Sequence, residues 1–263
     1  MYSGSDKSSR TGNAKETVYS ILRKSIVNLN LLPGAAISEK EISLRFKVSR
    51  TPVREAFIHL SRDGLVQVIP QRETRVSRID LRRVWQEFFL RKSLEESVME
   101  LFLRNAGPES FARLEHFLGL QKQALDNKSF TDFIDYDDAF HRVFFEDSGQ
   151  EFSWKILSRM CGHYHRVRLL SIWIVGIGEE KFEQHENLLA AARENDLERA
   201  RAILHLHLYK FFDEESKLLR EEFPGYFAGE DEDDVLDQDF GGFPVLTAQN
   251  AARRRSGKTI EVP

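Results

Sequence analysis

The strongest constraint on the fold is a pair of helix starts that lie about a dozen residues apart. Ser38-Glu-Lys-Glu41 has the pattern of a capping box, in which Ser38 and Glu41 each satisfy the other's free backbone amide. Thr51 followed by Pro52 predicts the second start, with Thr51 as the N-cap. The first helix can therefore run only about two turns, to Phe46, before a three-residue bend. This spacing predicts a helix-turn-helix.

The flanking residues extend this unit to a winged helix-turn-helix over residues 14–79. A preceding helix from about Lys15 to Asn30 has one apolar face and ends before Pro33-Gly34. After the second helix, residues 65–69 and 74–79 alternate apolar and polar side chains around a turn at 70–73. We therefore expect three helices and a two-stranded wing, preceded by a flexible arm over residues 1–13.

The charge of this segment points to nucleic acid. Residues 15–78 contain twelve Lys and Arg residues and six Asp and Glu residues, whereas the whole chain has a net charge of −4. A recognition helix enters the major groove with its N-terminal end leading, where guanidinium groups bind bases or phosphates. The alternative is a solvated basic surface. The predicted DNA contacts lie at this helix start, on the preceding helix and on the wing: Lys40, Ser49, Arg50, Thr51, Arg54, Arg72 and Arg75.

The rest of the chain divides into a helical domain over residues 80–224 and an acidic tail over 225–263. Apolar residues at spacings of three and four predict six helices, at 80–105, 108–127, 129–147, 151–173, 179–194 and 197–221. The tail has seven acidic residues between Glu230 and Asp239 and is expected to be disordered. The longest apolar run, at 169–178, is about half of the roughly 20 residues that span a membrane. With a single cysteine, Cys161, we predict a cytoplasmic protein that does not bind membranes.

Four potential metal ligands fall on the apolar faces of these helices. Asp137 and His141 lie one turn apart, while His185 and His207 lie ten residues before and twelve after Asn195. An antiparallel hairpin about Asn195 brings these two histidines to within about 3 Å of the same height. Leaving the four groups unpaired in a core is costly, and a metal removes that cost. The alternative is that the histidines bond to the backbone and Asp137 pairs with an arginine.

Imidazole and carboxylate ligands suit Zn²⁺, Ni²⁺, Mn²⁺ or Fe²⁺. The softness of these ligands does not distinguish among the four ions. Three imidazoles and one carboxylate leave open coordination positions, which can bind a small organic acid. Arg91 and Arg168 are candidate second anchors for such an anion, with an internal ion pair as the alternative for each. His163 is a further candidate for lining a cavity that holds this acid.

Two stretches resemble the domains of one known family. Residues 31–70, with VSRTPVREA at their centre, resemble the DNA-binding domain of GntR-family transcriptional regulators, which implies DNA contacts at Lys40, Arg50, Thr51 and Arg54. The sequence departs from the family pattern at Phe46-Lys47, where Leu-Gly is usual, and at 71–74, where the wing tip usually contains glycine.

The second domain resembles the FCD effector domain of the FadR subfamily. The resemblance rests on Asp137-x₃-His141, on His185 in EQH and on His207 in HLHLY, and it implies a metal bound by these four residues at the floor of a ligand cavity. Arg91, in RKSLE, matches a further FCD motif.

We therefore expect a homodimeric, DNA-binding transcriptional regulator, a repressor, that binds an inverted-repeat operator in double-stranded DNA. A small organic-acid effector at the metal site would change its operator affinity. Two alternatives remain: a metalloenzyme that uses the Asp and three His residues, and a regulator whose metal is purely structural.

Overall fold

The computed structural model describes residues 5–69, 73–209 and 215–229. The expected class is confirmed, since a winged helix-turn-helix precedes an all-helical domain. Among the described residues, no helix is both long and apolar enough to cross a membrane.

The N-terminal domain consists of three helices and a small antiparallel sheet: α1 (Ser5–Val27), β1 (Ala36–Ile37), α2 (Glu39–Phe46), α3 (Arg50–Arg62), β2 (Val66–Ile69) and β3 (Glu73–Val76). Its core packs Leu22 and Ile26 of α1 against Phe57 and Leu60 of α3. The strand order is β1-β3-β2, with Ala36 opposite Arg75 and Gln67 opposite Arg75 on the other side. The wing therefore has three strands rather than two, because the residues after Pro33-Gly34 pair with β3.

The helix starts differ from the expected ones in detail. Ser38 and Ser49 are the N-caps of α2 and α3, but neither side chain makes a capping hydrogen bond. The predicted capping box is therefore absent, and α3 begins before Thr51. Pro52 still lies in the first turn of α3. Backbone N–H groups in a first turn have no partner within the helix, so the missing N–H of proline costs no hydrogen bond there. Helix α1 begins at Ser5, within the expected flexible arm, because an anchored helix adds residues more easily than it nucleates.

The second domain is a bundle formed by α4 (Leu81–Asn105), α5 (Pro108–Asp126), α6 (Phe130–Glu146), α7 (Glu151–Met160), α8 (Gly162–Leu170), α9 (Gly178–Arg193), α10 (Leu197–Tyr209) and α11 (Glu215–Glu222). The predicted helix 151–173 is divided at Cys161, whose ψ of 46° is not helical. A π-helical turn, Ser171–Val175, continues α8 and ends at Gly176.

The chain beyond α11 returns to the linker between the domains. Phe227 is buried and pairs with Ile79 as a parallel bridge. Ile79 N donates to Tyr226 O at 2.7 Å, and Ala228 N donates to Ile79 O at 2.9 Å. The first residues of the expected disordered tail, 225–229, are therefore ordered by two backbone hydrogen bonds. The acidic residues from Glu230 onward lie outside the described residues.

Candidate nucleic-acid interface and candidate metal centre

The start of α3 presents polar and basic side chains to solvent. Ser49, Arg50 and Thr51 are exposed there, and Lys40 is exposed on α2. The free backbone amides of the helix start lie beside these side chains and favour a phosphate oxygen. The predicted contacts on these two helices are thus open to solvent.

Two of the predicted DNA contacts are engaged within the protein. Arg54 makes a bidentate pair with Glu39, with Nε–Oε1 and Nη2–Oε2 distances of 3.0 and 3.1 Å. Its hydrogen bond to Glu39 raises the pKa of Arg54. Arg75 contacts Glu73 Oε1 at 2.6 Å and donates to Gly34 O at 3.0 Å. DNA must therefore compete with Glu39 and Glu73 for these guanidinium groups. Arg72 lies outside the described residues.

The four predicted metal ligands converge in the core of the second domain. Helix α6 carries Asp137 and His141, α9 carries His185 and α10 carries His207, and all four side chains are buried. Their potential ligand atoms all lie within 4.8 Å of one another. The three Nε2 atoms form a triangle with sides of 3.2, 3.3 and 3.3 Å. Asp137 carboxylate oxygens lie 3.5 to 3.9 Å from these nitrogens.

The outer nitrogen of each histidine ring lies against an oxygen. His185 Nδ1 donates to Gln121 Oε1 at 2.7 Å, and His207 Nδ1 donates to Gln184 Oε1 at 3.0 Å. His141 Nδ1 lies 2.7 Å from Glu95 Oε2. Oxygen neighbours hold the proton on Nδ1 and leave the Nε2 lone pair available. Three lone pairs therefore point toward one place.

This triangle has the size that a metal ion requires. Two nitrogens bound at roughly 2.0–2.1 Å in tetrahedral geometry lie about 3.3–3.4 Å apart. Burial lowers the pKa of His185 to about 3, so its ring is neutral and able to coordinate. Burial alone would raise the pKa of Asp137, but Arg168 and the histidines hold it below its usual value. The donor set thus fits a divalent cation.

The two arginines predicted to anchor an anion are paired internally. Arg91 Nε donates to Glu95 Oε1 at 2.5 Å, and Arg91 Nη1 donates to Asp138 Oδ1 at 3.2 Å. Arg168 bonds to Asp137 and donates to Asp138 Oδ1 at 2.8 Å. Both arginines therefore form internal ion pairs, which was the alternative to anchoring an anion. Of the two, Arg168 also borders a cavity beside Asp137 and His207.

The cavity has a volume of about 20 Å³, room for about one water molecule. Its walls combine two of the predicted ligands, two cations, a glutamate, a tyrosine, a serine hydroxyl and three aliphatic side chains. The lining residues are Asp137, Tyr164, Arg168, Ser171, Ile172, Ile177, Lys181, His207, Leu208 and Glu215. Lys181 also donates to the backbone oxygen of the ligand His207.

His163 does not border this cavity, contrary to the prediction. Its Nδ1 accepts from Asp80 N at 3.1 Å, and its Nε2 lies 3.1 Å from Gly64 O. Arg166 is fully buried beside it and donates to Ser77 O at 2.6 Å. His163 therefore packs α8 against the winged domain, whereas Arg168, five residues later on another side of the helix, bonds to Asp137.

Several side chains around the candidate metal centre carry little or no signal in the sequence. Glu95 had been noted only as part of a motif, and Gln184 is adjacent to His185, so both had a weak local signal. Gln121 and Ser171 had none, since their distance from the ligands along the chain hides the contact that folding creates.

Comparison with known proteins agrees with this architecture. Residues 14–76 match the model of the gntR family of bacterial regulatory proteins, and residues 86–210 match the FCD domain. The chain is 32% identical over 220 residues to the HTH-type transcriptional repressor RspR of Escherichia coli K12, covering 84% of this chain and 96% of RspR. It is 33% identical over 214 residues to an HTH-type regulator from an unstable DNA locus of Streptomyces ambofaciens, covering 81% and 89% of the two chains.

Solved structures have the same fold. The structure of E. coli McbR/YncC aligns with a TM-score of 0.67 at 21% identity, covering 80% of this chain and 98% of that one. A regulator from Rhodococcus sp. RHA1 gives the same TM-score at 23% identity, again covering 80% and 98%. These matches exclude the metalloenzyme alternative, because the family and the relatives are transcriptional regulators. The chain belongs to the GntR family of bacterial transcriptional regulators and carries an FCD domain as its second domain.

Proposed function

We propose that this regulator is a repressor whose operator affinity changes when a small organic acid binds at a metal centre in the FCD domain. The main support is the convergence of three histidine Nε2 atoms and Asp137 on one point beside a cavity. RspR, the relative from E. coli, is named a repressor.

The proposed metal is Zn²⁺, Ni²⁺, Mn²⁺ or Fe²⁺, held by Asp137, His141, His185 and His207. Four protein ligands leave further positions open in a five- or six-coordinate ion, and a bound metal supplies an electrophilic centre for a carboxylate there. Arg168 orients Asp137, and the cavity beside it, which has room for about one water molecule, would have to widen to admit the acid. Titration calorimetry of metal-free protein tests this proposal. His207→Ala should abolish stoichiometric metal binding, whereas His205→Ala on the same helix should retain it.

Chelation separates a sensing metal from a purely structural one. If the metal senses the acid, its removal should abolish acid binding while the helical circular dichroism and the midpoint of thermal unfolding change little. A large fall of the midpoint, with unchanged acid affinity in the remaining folded protein, would instead support the structural alternative.

The proposed DNA contacts are Lys40, Ser49, Arg50, Thr51, Arg54, Arg72 and Arg75. Genomic DNA fragments retained by the protein should share a short inverted repeat, which fits a two-fold symmetric regulator. Arg50→Ala should weaken binding to that repeat at least tenfold, whereas Arg62→Ala, exposed at the other end of α3, should change it less than twofold. Retention without any enriched sequence would leave only a basic surface that binds phosphates.

We propose that a second copy of the chain covers the outer face of α4 and α7. These neighbouring helices leave Phe89, Phe152 and Ile156 exposed by 62%, 73% and 43%. Exposed apolar side chains on adjacent helices are typical of a protein interface. Sedimentation of Phe152→Arg should show monomers at concentrations where the parent chain is dimeric. Unchanged sedimentation of both Phe152→Arg and Phe89→Arg would contradict this interface.

A further inference from the structure

The described chain ends beside the basic winged domain, at the start of a run of acidic residues. Ile79 holds residues 226–228 through two backbone hydrogen bonds of 2.7 and 2.9 Å. Residues 230–239, here called the acidic segment, follow directly and contain seven Asp and Glu residues. Two residues before Ile79, Ser77 N donates at 2.9 Å to the backbone oxygen of Leu65, just beyond the end of α3. The acidic segment therefore begins near the C-terminal end of the recognition helix.

The winged domain carries basic side chains that the described residues leave unpaired. They lie at both ends of α3, on α2 and the bend after it, and beside Ile79. Six exposed lysines and arginines have no ion pair or side-chain hydrogen bond among the described residues: Lys40, Arg45, Lys47, Arg50, Arg62 and Arg78. This surplus of positive charge favours an anionic partner.

The acidic segment is long enough to reach the start of α3. The helix has 13 residues, which makes it about 20 Å long at 1.5 Å per residue. Ten residues of chain span at most about 33–36 Å when fully extended, so seven carboxylates over that length lie about 5 Å apart. One strand of DNA carries a phosphate charge about every 3.4 Å. The segment therefore offers the winged domain a row of negative charges approaching the density of a DNA strand.

We propose that the acidic segment binds the DNA-contacting surface of the winged domain of its own chain and competes there with DNA. The inference rests on the proposed DNA contacts of α2 and α3, and it is independent of the metal and the effector. A short tether gives an effective concentration on the order of millimolar, so weak charge pairing is enough to occupy the surface. Such a competitor lowers the affinity for every DNA sequence by the same factor. Weak complexes with random DNA are then the first to be lost, whereas an operator bound through base contacts is retained.

Fluorescence anisotropy with a labelled random-sequence duplex tests the proposal on the full-length protein. The variant replaces five consecutive acids by their amides: Glu230→Gln, Asp231→Asn, Glu232→Gln, Asp233→Asn and Asp234→Asn. It should bind the duplex at least tenfold more tightly than the parent chain at about 50 mM salt. The advantage should fall below twofold at about 0.3 M salt, because salt screens the contact between the segment and the winged domain.

Five exposed glutamates of the second domain provide a control with the same change of net charge. Their replacement by glutamine should change the affinity less than twofold: Glu109, Glu151, Glu183, Glu186 and Glu221. Equal affinities of the parent chain and the amide variant at low salt would overturn the proposal, as would an equal gain in the control. If neither protein binds the duplex, the proposed DNA contacts fail, and this inference fails with them.

Zero-length cross-linking with a carbodiimide locates the segment, since it joins a carboxylate to a lysine amine in direct contact. In the parent chain the acidic segment should be joined to Lys40 or Lys47, and added DNA should suppress these bonds. In mixed dimers of isotope-labelled and unlabelled chains, the joined peptides should carry the same label. Bonds confined to exposed lysines of the second domain, such as Lys128 and Lys155, or found between differently labelled chains, would overturn the proposed contact.

Discussion

At the scale of single residues, the proposed metal centre depends on side chains that do not belong to the four predicted ligands. Gln121 accepts from His185 Nδ1, and its own Nε2 donates to Tyr136 O at 3.4 Å, which directs the amide oxygen toward the ring. This arrangement keeps the lone pair of His185 Nε2 free on the side of the ring that lies beside His141 and His207. Gln121 thus determines which nitrogen of the His185 ring carries the proton, although α5 itself contributes none of the four predicted ligands.

Gln121→Ala should weaken Zn²⁺ binding about 10- to 100-fold, as the loss of an outer partner of a ligating histidine generally does. Titration of metal-free protein against a competing chelator measures the effect. Gln123→Ala, exposed on the same helix, is the matched control and should bind Zn²⁺ like the parent chain. Equal affinities in both variants would show that Gln121 does not orient the ring.

Glu87 makes stability depend on pH. Burial raises its pKa from 4.5 to about 7, although Tyr164 N donates to it at 2.8 Å and Arg83 pairs with it at 3.0 Å. The folded protein therefore binds this proton more tightly than the unfolded chain, so the contribution of Glu87 is full below pH 4.5 and is lost as the pH rises through 7. Relative to Glu87→Gln, the parent chain should lose about 2 kcal/mol of unfolding free energy between about pH 5.5 and 8.

Urea denaturation of both proteins at the two pH values measures this difference. Glu109→Gln, an exposed carboxyl on α5, is the control for charge removal. A gap between the parent chain and Glu87→Gln that stays constant with pH would place the folded pKa of Glu87 near its ordinary value.

At the scale of elements, the bend between α2 and α3 is made by a residue poorly suited to it. Lys47 adopts φ +54° and ψ 42°, the left-handed conformation that glycine adopts without strain. Its N–H bonds to Leu44 O at 3.3 Å, and Val48 N bonds to Ser43 O at 3.1 Å, so the bend closes α2 correctly despite the cost.

Lys47→Gly should therefore stabilise the protein by about 0.5–1 kcal/mol, the relief of left-handed strain less the added freedom of the unfolded chain. Chemical denaturation measures it. Glu55→Gly, at an exposed position inside α3, should destabilise by about 1 kcal/mol, as glycine does in a helix interior. Destabilisation by both changes would mean that the Lys47 side chain contributes more than its backbone strain costs.

Local patterns predicted most elements, and they failed where distant residues decide the structure. Periodic apolar residues located α4 to α6, and the spacing of His185 and His207 about Asn195 predicted their convergence. Strand β1 was missed because two residues, Ala36 and Ile37, carry no pattern, and pairing with β3 alone makes them a strand. The break at Cys161 was missed; beside it the backbone of Gly162 packs closely on the winged domain, where an added Cβ would lie 2.8 Å from Leu65.

At the scale of the whole molecule, polar contacts connect the proposed metal centre to the winged domain. Arg168 bonds to both Asp137 and Asp138, and Asp138 Oδ2 lies 3.6 Å from His165 Nδ1. His165 Nε2 in turn lies 3.3 Å from Asn28 Oδ1, just beyond the end of α1. A shift of the carboxylate of Asp137 can therefore reach α1 through side chains in direct contact.

Asn28→Ala should weaken the coupling between effector and DNA without altering either binding event alone. Mutations within such networks change coupling by about 0.5–2 kcal/mol. Operator affinity measured with and without saturating effector gives the coupling directly. Asn187→Ala, exposed on α9, is the control. An unchanged effector response in Asn28→Ala would direct attention to the other junction, at Arg166 and Ser77.

The return of the chain to the linker has a practical consequence for observing that response. Because Tyr226 and Ala228 are hydrogen-bonded to Ile79, residue 229 is tethered to the segment that joins the two domains. A fluorophore attached there, paired with a second one on the exposed face of α3, would follow the position of the recognition helix relative to the linker. The C-terminal end of the described chain thus offers an attachment point for an optical biosensor of the effector.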